Sequence, residues 1–440
     1  MSSASHYPSD DQIWDLARQE GLDPFPVICE AVPATILYEF AAYLIPGRMS
    51  HWSYGKAYHA MKTRYDYGLN KLYEMVINAN PAYAFLLDSN SDLENTFVRA
   101  HVMGHVDFFK HNLYFAHTQR DMLDVVARHA DRIRQYEFEY GQDVVERFLD
   151  ATLSIQEHVA EPLPPLMMSA RQPAPSSGAD GWTDLWQSLP SEHHRQVKPS
   201  DQDDRDVLRF IMEHSDELEE WQRDVVAMVH DEMVYFWPQL RTKIMNEGWA
   251  SLWHVRLMRA LELTDADVVN FARLHAAVTS PIPYQINPYA IGYAIFRHIV
   301  ETRGIEAAFF VRTIDDDVSF LRNYLTESLV EDLHLYVFGP EQDKIVVKSR
   351  HWELVRDRLV KEFLHGGLPI IEVADGDFHR RGELYLIHRH EGTDLDLLYA
   401  ERTLEHVRLL WGRPVHLETI SENRKLILSY DGQAHSKAVV

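Results

Sequence analysis

The stretch RAHVMGHVDFFKHN, residues 99–112, decides how the rest of the chain is read. Its apolar residues recur at three- and four-residue spacing, which predicts a helix with His101 and His105 one turn apart on the same face. Two imidazoles at i and i+4 can converge on one metal ion, an arrangement that many zinc enzymes use. Those enzymes carry a glutamate base directly after the first histidine, where this chain has Val102. With 25 histidines in 440 residues, about one HxxxH pair arises by chance, so the pair gains meaning only from ligands elsewhere.

The segment NEGWASLWH, residues 246–254, supplies them. Glu247 and His254 are two helical turns apart and project from one face. Two such helices would build a site of histidines and one carboxylate, suited to Zn²⁺ or, with open positions, to Fe²⁺. His101, His105 and Glu247 are the expected metal ligands, and His254 a fourth ligand or a donor to the transition state. Gly104 in HVMGH and the small residues of EGWA would let neighbouring backbones approach closely. Hydrolysis also needs a proton acceptor, and with Val102 unable to serve, Glu232 in VHDEMVYFWPQ is the first candidate. Asp107 points round the helix from His101 and is assigned a supporting or capping role. Asn112 either lines the pocket or bonds a helix end. Tyr289, Tyr293 and Arg297 form a row that is either a packed aromatic face or a ligand clamp.

Working outward, residues 10 to about 160 run in helical periods. GKAYHAMKTRYDYGLNKLYEMVINANP predicts one helix stopping before Pro81, and HTQRDMLDVVARHADRIRQY another with Thr118 as N-cap. Residues 162–204 are rich in Pro, Ser, Gly and charge, and read as a linker or insertion whose Trp182 and Trp186 could dock elsewhere. Helical pattern resumes at residue 205, with Pro238 marking a kink or break. A further helix has Asn287 as N-cap, Pro288 at its first position and Gly304 at its end. After about residue 340 the order becomes βαββαββ. The expected fold is mainly α: helical halves at 1–161 and 205–340 around the linker, then a small ferredoxin-like α+β module at 341–433.

Composition excludes several function classes. There are 67 acidic against 43 basic side chains, a net charge of −24, which disfavours nucleic acid and anionic lipid as partners. No apolar run reaches the roughly 20 residues that span a bilayer, and the first residues lack a signal-peptide pattern, so a cytoplasmic protein without membrane insertion is expected. The single Cys29 excludes an intrachain disulfide and a cysteine zinc knuckle. No P-loop, dinucleotide-binding glycine signature or GxSxG elbow occurs.

Five segments in order carry a resemblance: SYGKAYHAMKTRYDYGLNKLYEMVINANPAYAFLLDSN, AHVMGHVDFFKHN, EEWQRDVVAMVHDEMVYFWPQLRTKIMNEGWASLWH, INPYAIGYAIFRHI and DDDVSFLRNYLTESLVEDLHLYVF. Over residues 30 to 340 the chain resembles the stage V sporulation protein R (SpoVR) family, and its C-terminal module is similar to the family's tail. The resemblance implies a cytoplasmic bacterial protein associated with spore cortex formation, or with stationary-phase stress in bacteria that do not sporulate. It also implies a PrkA-like serine kinase and a von Willebrand-type domain protein as companions, and no particular reaction. The expected function is therefore a zincin-like metal site in a sporulation or stress protein, with hydrolysis of a peptide or cell-wall precursor as its chemistry. The rival is a non-catalytic interaction protein, working with the kinase, whose polar groups satisfy one another inside the bundle. Oxidative chemistry at Fe²⁺ is a third possibility.

Overall fold

The computed structural model describes residues 7–67, 71–160, 205–281, 285–341 and 344–440. The expected linker at 162–204, with Trp182 and Trp186, lies outside them. The chain forms two compact units, residues 1–135 with 235–367 and residues 136–234 with 368–440. The sequence reading sets its boundaries at 161, 204 and 340 instead. The described residues are mainly helical, with a sheet-rich C-terminal region. None of their helices is long and apolar enough to cross a membrane.

In chain order the elements begin α1 (Asp10–Gln19), β1 (Val27–Val32), α2 (Ala34–Tyr43), α3 (Trp52–Asp66), β2 (Glu74–Ile77), β3 (Ala82–Leu87) and α4 (Asp92–His111). The strands form a sheet ordered β1-β3-β2, with β1 parallel and β2 antiparallel to β3. One helix to residue 80 was expected here. The helix ends at Asp66, and Glu74–Ile77 instead pairs with Leu86–Tyr83. A four-residue strand is too short to show period-two alternation, and cross-strand pairing overrides local helical spacing.

Next come α5 (Met122–Tyr140), α6 (Gln142–Leu153), α7 (Val207–His214), α8 (Glu220–Arg241), α9 (Lys243–Ala260) and α10 (Asp265–Val278). The first turn of α5 closes on the Asp121 carbonyl, so Asp121, not Thr118, sits at its start. Pro238 lies inside α8, and the break falls at Thr242, whose hydroxyl donates to the Pro238 carbonyl at 2.6 Å. Then follow α11 (Pro288–Arg303), α12 (Ile305–Ile314), α13 (Asp317–Tyr324) and α14 (Glu327–Asp332). Asn287 caps α11 by accepting from Tyr289 and Ala290, with Pro288 next and Gly304 at the far end, as its sequence predicts.

The core of the first unit is built where α4, α9 and α11 touch backbone to backbone. A Cβ on Gly104 would lie 2.6 Å from the Ala250 Cα, and one on Gly248 would overlap the Gly292 backbone. Trp249, Trp253, Phe108 and Phe296 fill the space around these contacts and are fully buried. Asp317, at the start of α13, accepts from the backbone N–H groups of Ile244 and Met245 at 2.8 and 2.9 Å. It thereby satisfies the open end of α9, whose own N-cap Thr242 makes no such bond.

The last elements are β4 (Val337–Glu341), β5 (Lys344–Ser349), α15 (Trp352–Phe363), β6 (Ile371–Phe378), β7 (Glu383–His388), α16 (Leu397–Trp411), β8 (Val415–Ser421), β9 (Arg424–Tyr430) and β10 (His435–Val439). The ferredoxin-like arrangement, which needs two helices over one sheet, is replaced by a different topology. β5 pairs with β4 as a separate hairpin, and α15 packs on α13 and α14 in the first unit. The remaining five strands form a sheet ordered β10-β9-β8-β7-β6, crossed once by α16 between the parallel strands β7 and β8. Leu404, Val407 and Leu410 of α16 and Leu384, Val415, Leu417 and Leu428 of the sheet are buried.

Two predictions follow from packing and charge. Gly248→Ala should destabilise the protein by about 3 kcal/mol or abolish folding, because backbone has no rotamer with which to yield. Gly55→Ala, in open space within α3, should add about 0.5–1 kcal/mol; thermal unfolding of both variants measures the contrast. In the second unit, burial pushes the His230 pKa down, but hydrogen bonds to Asp206, at 2.9 Å, and Asp231 prevail and raise it to about 9. A raised cationic pKa stabilises the fold fully below about pH 6.5 and loses that contribution as pH rises to 9. After allowance for solvent screening it is worth about 1–2 kcal/mol. Denaturant unfolding of wild type and His230→Gln should differ by that amount at pH 6 and converge by pH 10.

Candidate metal centre

Helix α4 begins with a capping box, Ser91 accepting from the Glu94 N–H while the Glu94 carboxylate accepts from Ser91. Lys110 and His111 occupy its last turn, where the helix dipole favours positive charge. Its middle is buried on all sides, so His101 and His105 lie inside the protein, 3% and 7% exposed. Their rings stand edge to face with centroids 4.5 Å apart.

Helix α9 brings Glu247 to them. Glu247 Oε2 lies 3.5 Å from His101 Nε2 and 3.5 Å from His105 Nε2. Strand β2 brings a second carboxylate, since Glu74, His101 and His105 each offer a ligand atom within 4.8 Å of the others. Glu74 escapes the sequence reading because it lies in the stretch assigned to a helix. The signal that could have found it is an acid beside the apolar run MVI, just before the strand-like AYAFLL.

Each histidine is held from behind by its Nδ1. His105 Nδ1 is 2.9 Å from Asn246 Oδ1, which can only accept from a ring N–H, so His105 turns Nε2 inward as a free lone pair. His101 Nδ1 is 3.0 Å from His254 Nδ1. His254 therefore stands behind His101 and holds it, a place different from that of the fourth ligand or transition-state donor expected for it. Asn246 adjoins Glu247 in sequence, but nothing local marks it as a partner of a histidine 141 residues away.

Two atoms facing the centre, His101 Nε2 and Glu247 Oε2, are buried and have no hydrogen-bond partner among the described residues. Leaving such groups unsatisfied costs about 1–3 kcal/mol each. Donor atoms about 2.1 Å from a tetrahedral ion are about 3.4 Å apart, close to the 3.5 Å seen here. The donor set thus fits a divalent ion, with two ring nitrogens to bind it and carboxylate charge to balance it.

The electrostatics agree. Burial, aided by repulsion from His101, lowers His105 to about 4, which keeps it neutral and able to ligate. Burial acts to raise Glu247, but the adjacent rings of His101 and His105, each 3.5 Å away, and the Tyr289 hydroxyl outweigh it and hold the carboxyl below its ordinary value. Burial raises Glu74 to about 7, with His101 opposing and Glu247 adding to the rise. Tyr289 is pushed well above its usual range by burial and by Glu247, and its ring stacks on His101 at 5.9 Å.

The other expected residues lie elsewhere. Asp107 is fully buried but bonds the Asp23 N–H and Trp249 Nε1, each at 2.9 Å, with Arg312 Nε 3.4 Å away. It ties α4 to α9 and α12. Asn112 donates to the Arg312 and Asp315 carbonyls at 2.8 and 2.9 Å, so of its two expected roles it takes that of bonding a helix end. Arg297 is half exposed beside Glu301, with its guanidinium over Tyr293. Glu232, the base expected from the sequence, is fully buried and belongs to the other compact unit.

Comparison with known proteins gives a consistent picture. The family model described as SpoVR like protein matches residues 6–367, and that of the SpoVR-like C-terminal domain matches residues 369–422. The uncharacterized protein YcgB of Escherichia coli (strain K12) is 27% identical over 469 residues, covering 94% of this chain and 91% of that protein. No solved structure matches.

Truncating Asp107 would strand a buried guanidinium and an indole N–H. Asp107→Ala should lower stability by about 3–5 kcal/mol, whereas Arg297→Ala should stay within about 0.5 kcal/mol of wild type. Denaturant titration of both variants tests the assignment of one to the core and the other to the surface.

Proposed function

The chain belongs to the SpoVR family, and from that premise we propose that it is a metalloprotein of a sporulation or stationary-phase stress programme. One divalent ion, Zn²⁺ or Fe²⁺, would be held by His101, His105 and Glu247. The observation that carries this reading is the pair of buried, unsatisfied atoms, His101 Nε2 and Glu247 Oε2, facing each other at 3.5 Å. The two atoms face each other without forming a hydrogen bond, and a cation between them would give both a partner.

A bound divalent ion supplies Lewis acidity and makes water acidic near neutral pH. The chain's own contribution to hydrolysis would be Glu74, whose carboxyl, raised to about 7 by burial, can take and return a proton at its carboxylate oxygen. It stands in for the glutamate that Val102 replaces. Tyr289 and Asn246 would orient Glu247 and His105. A peptide or cell-wall precursor is the substrate class that fits hydrolysis in such a programme.

Elemental analysis of untagged protein should find about one zinc or iron per chain. The His101→Ala/His105→Ala double variant should lose it with unchanged far-ultraviolet circular dichroism, Glu247→Gln should weaken it, and Glu74→Gln should retain it. A folded wild type that neither carries nor takes up a divalent ion would sink the proposal.

A further inference from the structure

The histidines behind the centre continue beyond His254. His254 Nε2 lies 2.9 Å from His275 Nδ1 on α10. Three rings, His101, His254 and His275, are therefore joined nitrogen to nitrogen at 3.0 and 2.9 Å. Each link needs one nitrogen with a proton and one without.

We propose that His254 and His275 are positioning residues that set the tautomer of the metal ligand His101 in series, so that His275, 21 residues from His254 along the chain, controls metal affinity without touching the ion. The inference rests on the metal reading above. If His101 presents Nε2 to the ion, its proton must be on Nδ1. That proton is donated to His254 Nδ1, which must be bare. The His254 proton is then on Nε2 and is donated to His275 Nδ1, leaving His275 protonated on its own Nε2. One arrangement satisfies all three rings, and removing the last acceptor releases the first ring to either tautomer.

The surroundings favour that arrangement. His254 is fully buried, so neither of its nitrogens has water as an alternative partner. Its ring packs on Phe97 and Phe271, with centroids at 4.4 and 6.3 Å, which fixes its plane. His275 is partly buried, with Tyr293 edge-on at 4.9 Å. Burial, with the nearby charges of Arg259 and Arg297, disfavours its cation and keeps the Nδ1 lone pair free to accept.

The test uses the full chain as wild type, His275→Phe and His275→Asn, with zinc affinity measured by chelator competition. His275→Phe removes the acceptor and should weaken zinc binding about tenfold. His275→Asn, whose Oδ1 can accept in place of Nδ1, should stay within about threefold of wild type. Histidine ¹⁵N–¹H spectra of the zinc-loaded wild type should show protons on His101 Nδ1, His254 Nε2 and His275 Nε2. Equal affinity in all three proteins, or a proton on His254 Nδ1, overturns the inference and leaves the metal centre standing. Failure of wild type to bind zinc or iron overturns the reading beneath it instead. Should His275→Phe not fold, the spectra and the asparagine variant still decide.

Discussion

Three helices of the first unit approach so closely that no side chain fits between them at two places. Gly104 meets Ala250, and Gly248 meets Gly292. Each glycine is next to a group that faces the candidate centre: Gly104 precedes His105, and Gly248 follows Glu247. The backbone contacts therefore fix the distance between α4 and α9 at the level where the ligand atoms converge. Asp317 sets the remaining freedom, sliding along the helix axis, by holding the first N–H groups of α9. Packing and chemistry here are one constraint, because a helix pair separated by one more methyl layer could not bring Glu247 Oε2 to 3.5 Å from both imidazoles.

Within this interior some buried side chains are held on every side and others on one side only. Asp107 has a backbone N–H, an indole N–H and a guanidinium around it, and Asn112 uses both ends of its amide. These groups are satisfied by the protein itself. The inward atoms of His101 and Glu247 are not, although the same side chains are well held on their outer sides. Such one-sided satisfaction is the feature on which the proposed metal reading rests. Near the same atoms, burial and the neighbouring Glu247 raise the Glu74 carboxyl.

Much of this was legible in the sequence wherever the relevant geometry is local to one helix. The spacing of His101 and His105, and of Glu247 and His254, puts each pair on one face whatever the tertiary fold. The glycine in HVMGH and the small residues of EGWA mark close approach for a reason that sequence alone can state. Glu74 was hidden because its strand has four residues and is defined by its pairing with β3, not by its own pattern. His275 was hidden because its partner is a ring on another helix, and a single histidine in FARLHAAV carries no spacing signal. The C-terminal topology failed for a similar reason. The strand and helix of residues 344–363 look like the start of an α+β module, yet their packing partners lie in the helical unit. Of the two readings of the row Tyr289, Tyr293 and Arg297, the packing of the Arg297 guanidinium over Tyr293 at the surface fits the aromatic face, because eight residues carry Arg297 part of a turn away from Tyr289.

The first unit is assembled from two stretches of chain with the second unit's residues 136–234 between them. During synthesis, α4 is complete long before α9 exists. His101 and His254 are 153 residues apart, so at the ribosome's pace of roughly 5–20 residues per second the interval is about 8–30 s. Throughout it, a helix destined to be enclosed on every side has neither α9 nor α11 to cover it. Vectorial folding of this unit cannot proceed from the N-terminus. The nascent chain must keep α4 from premature association until α9 and α11 have emerged.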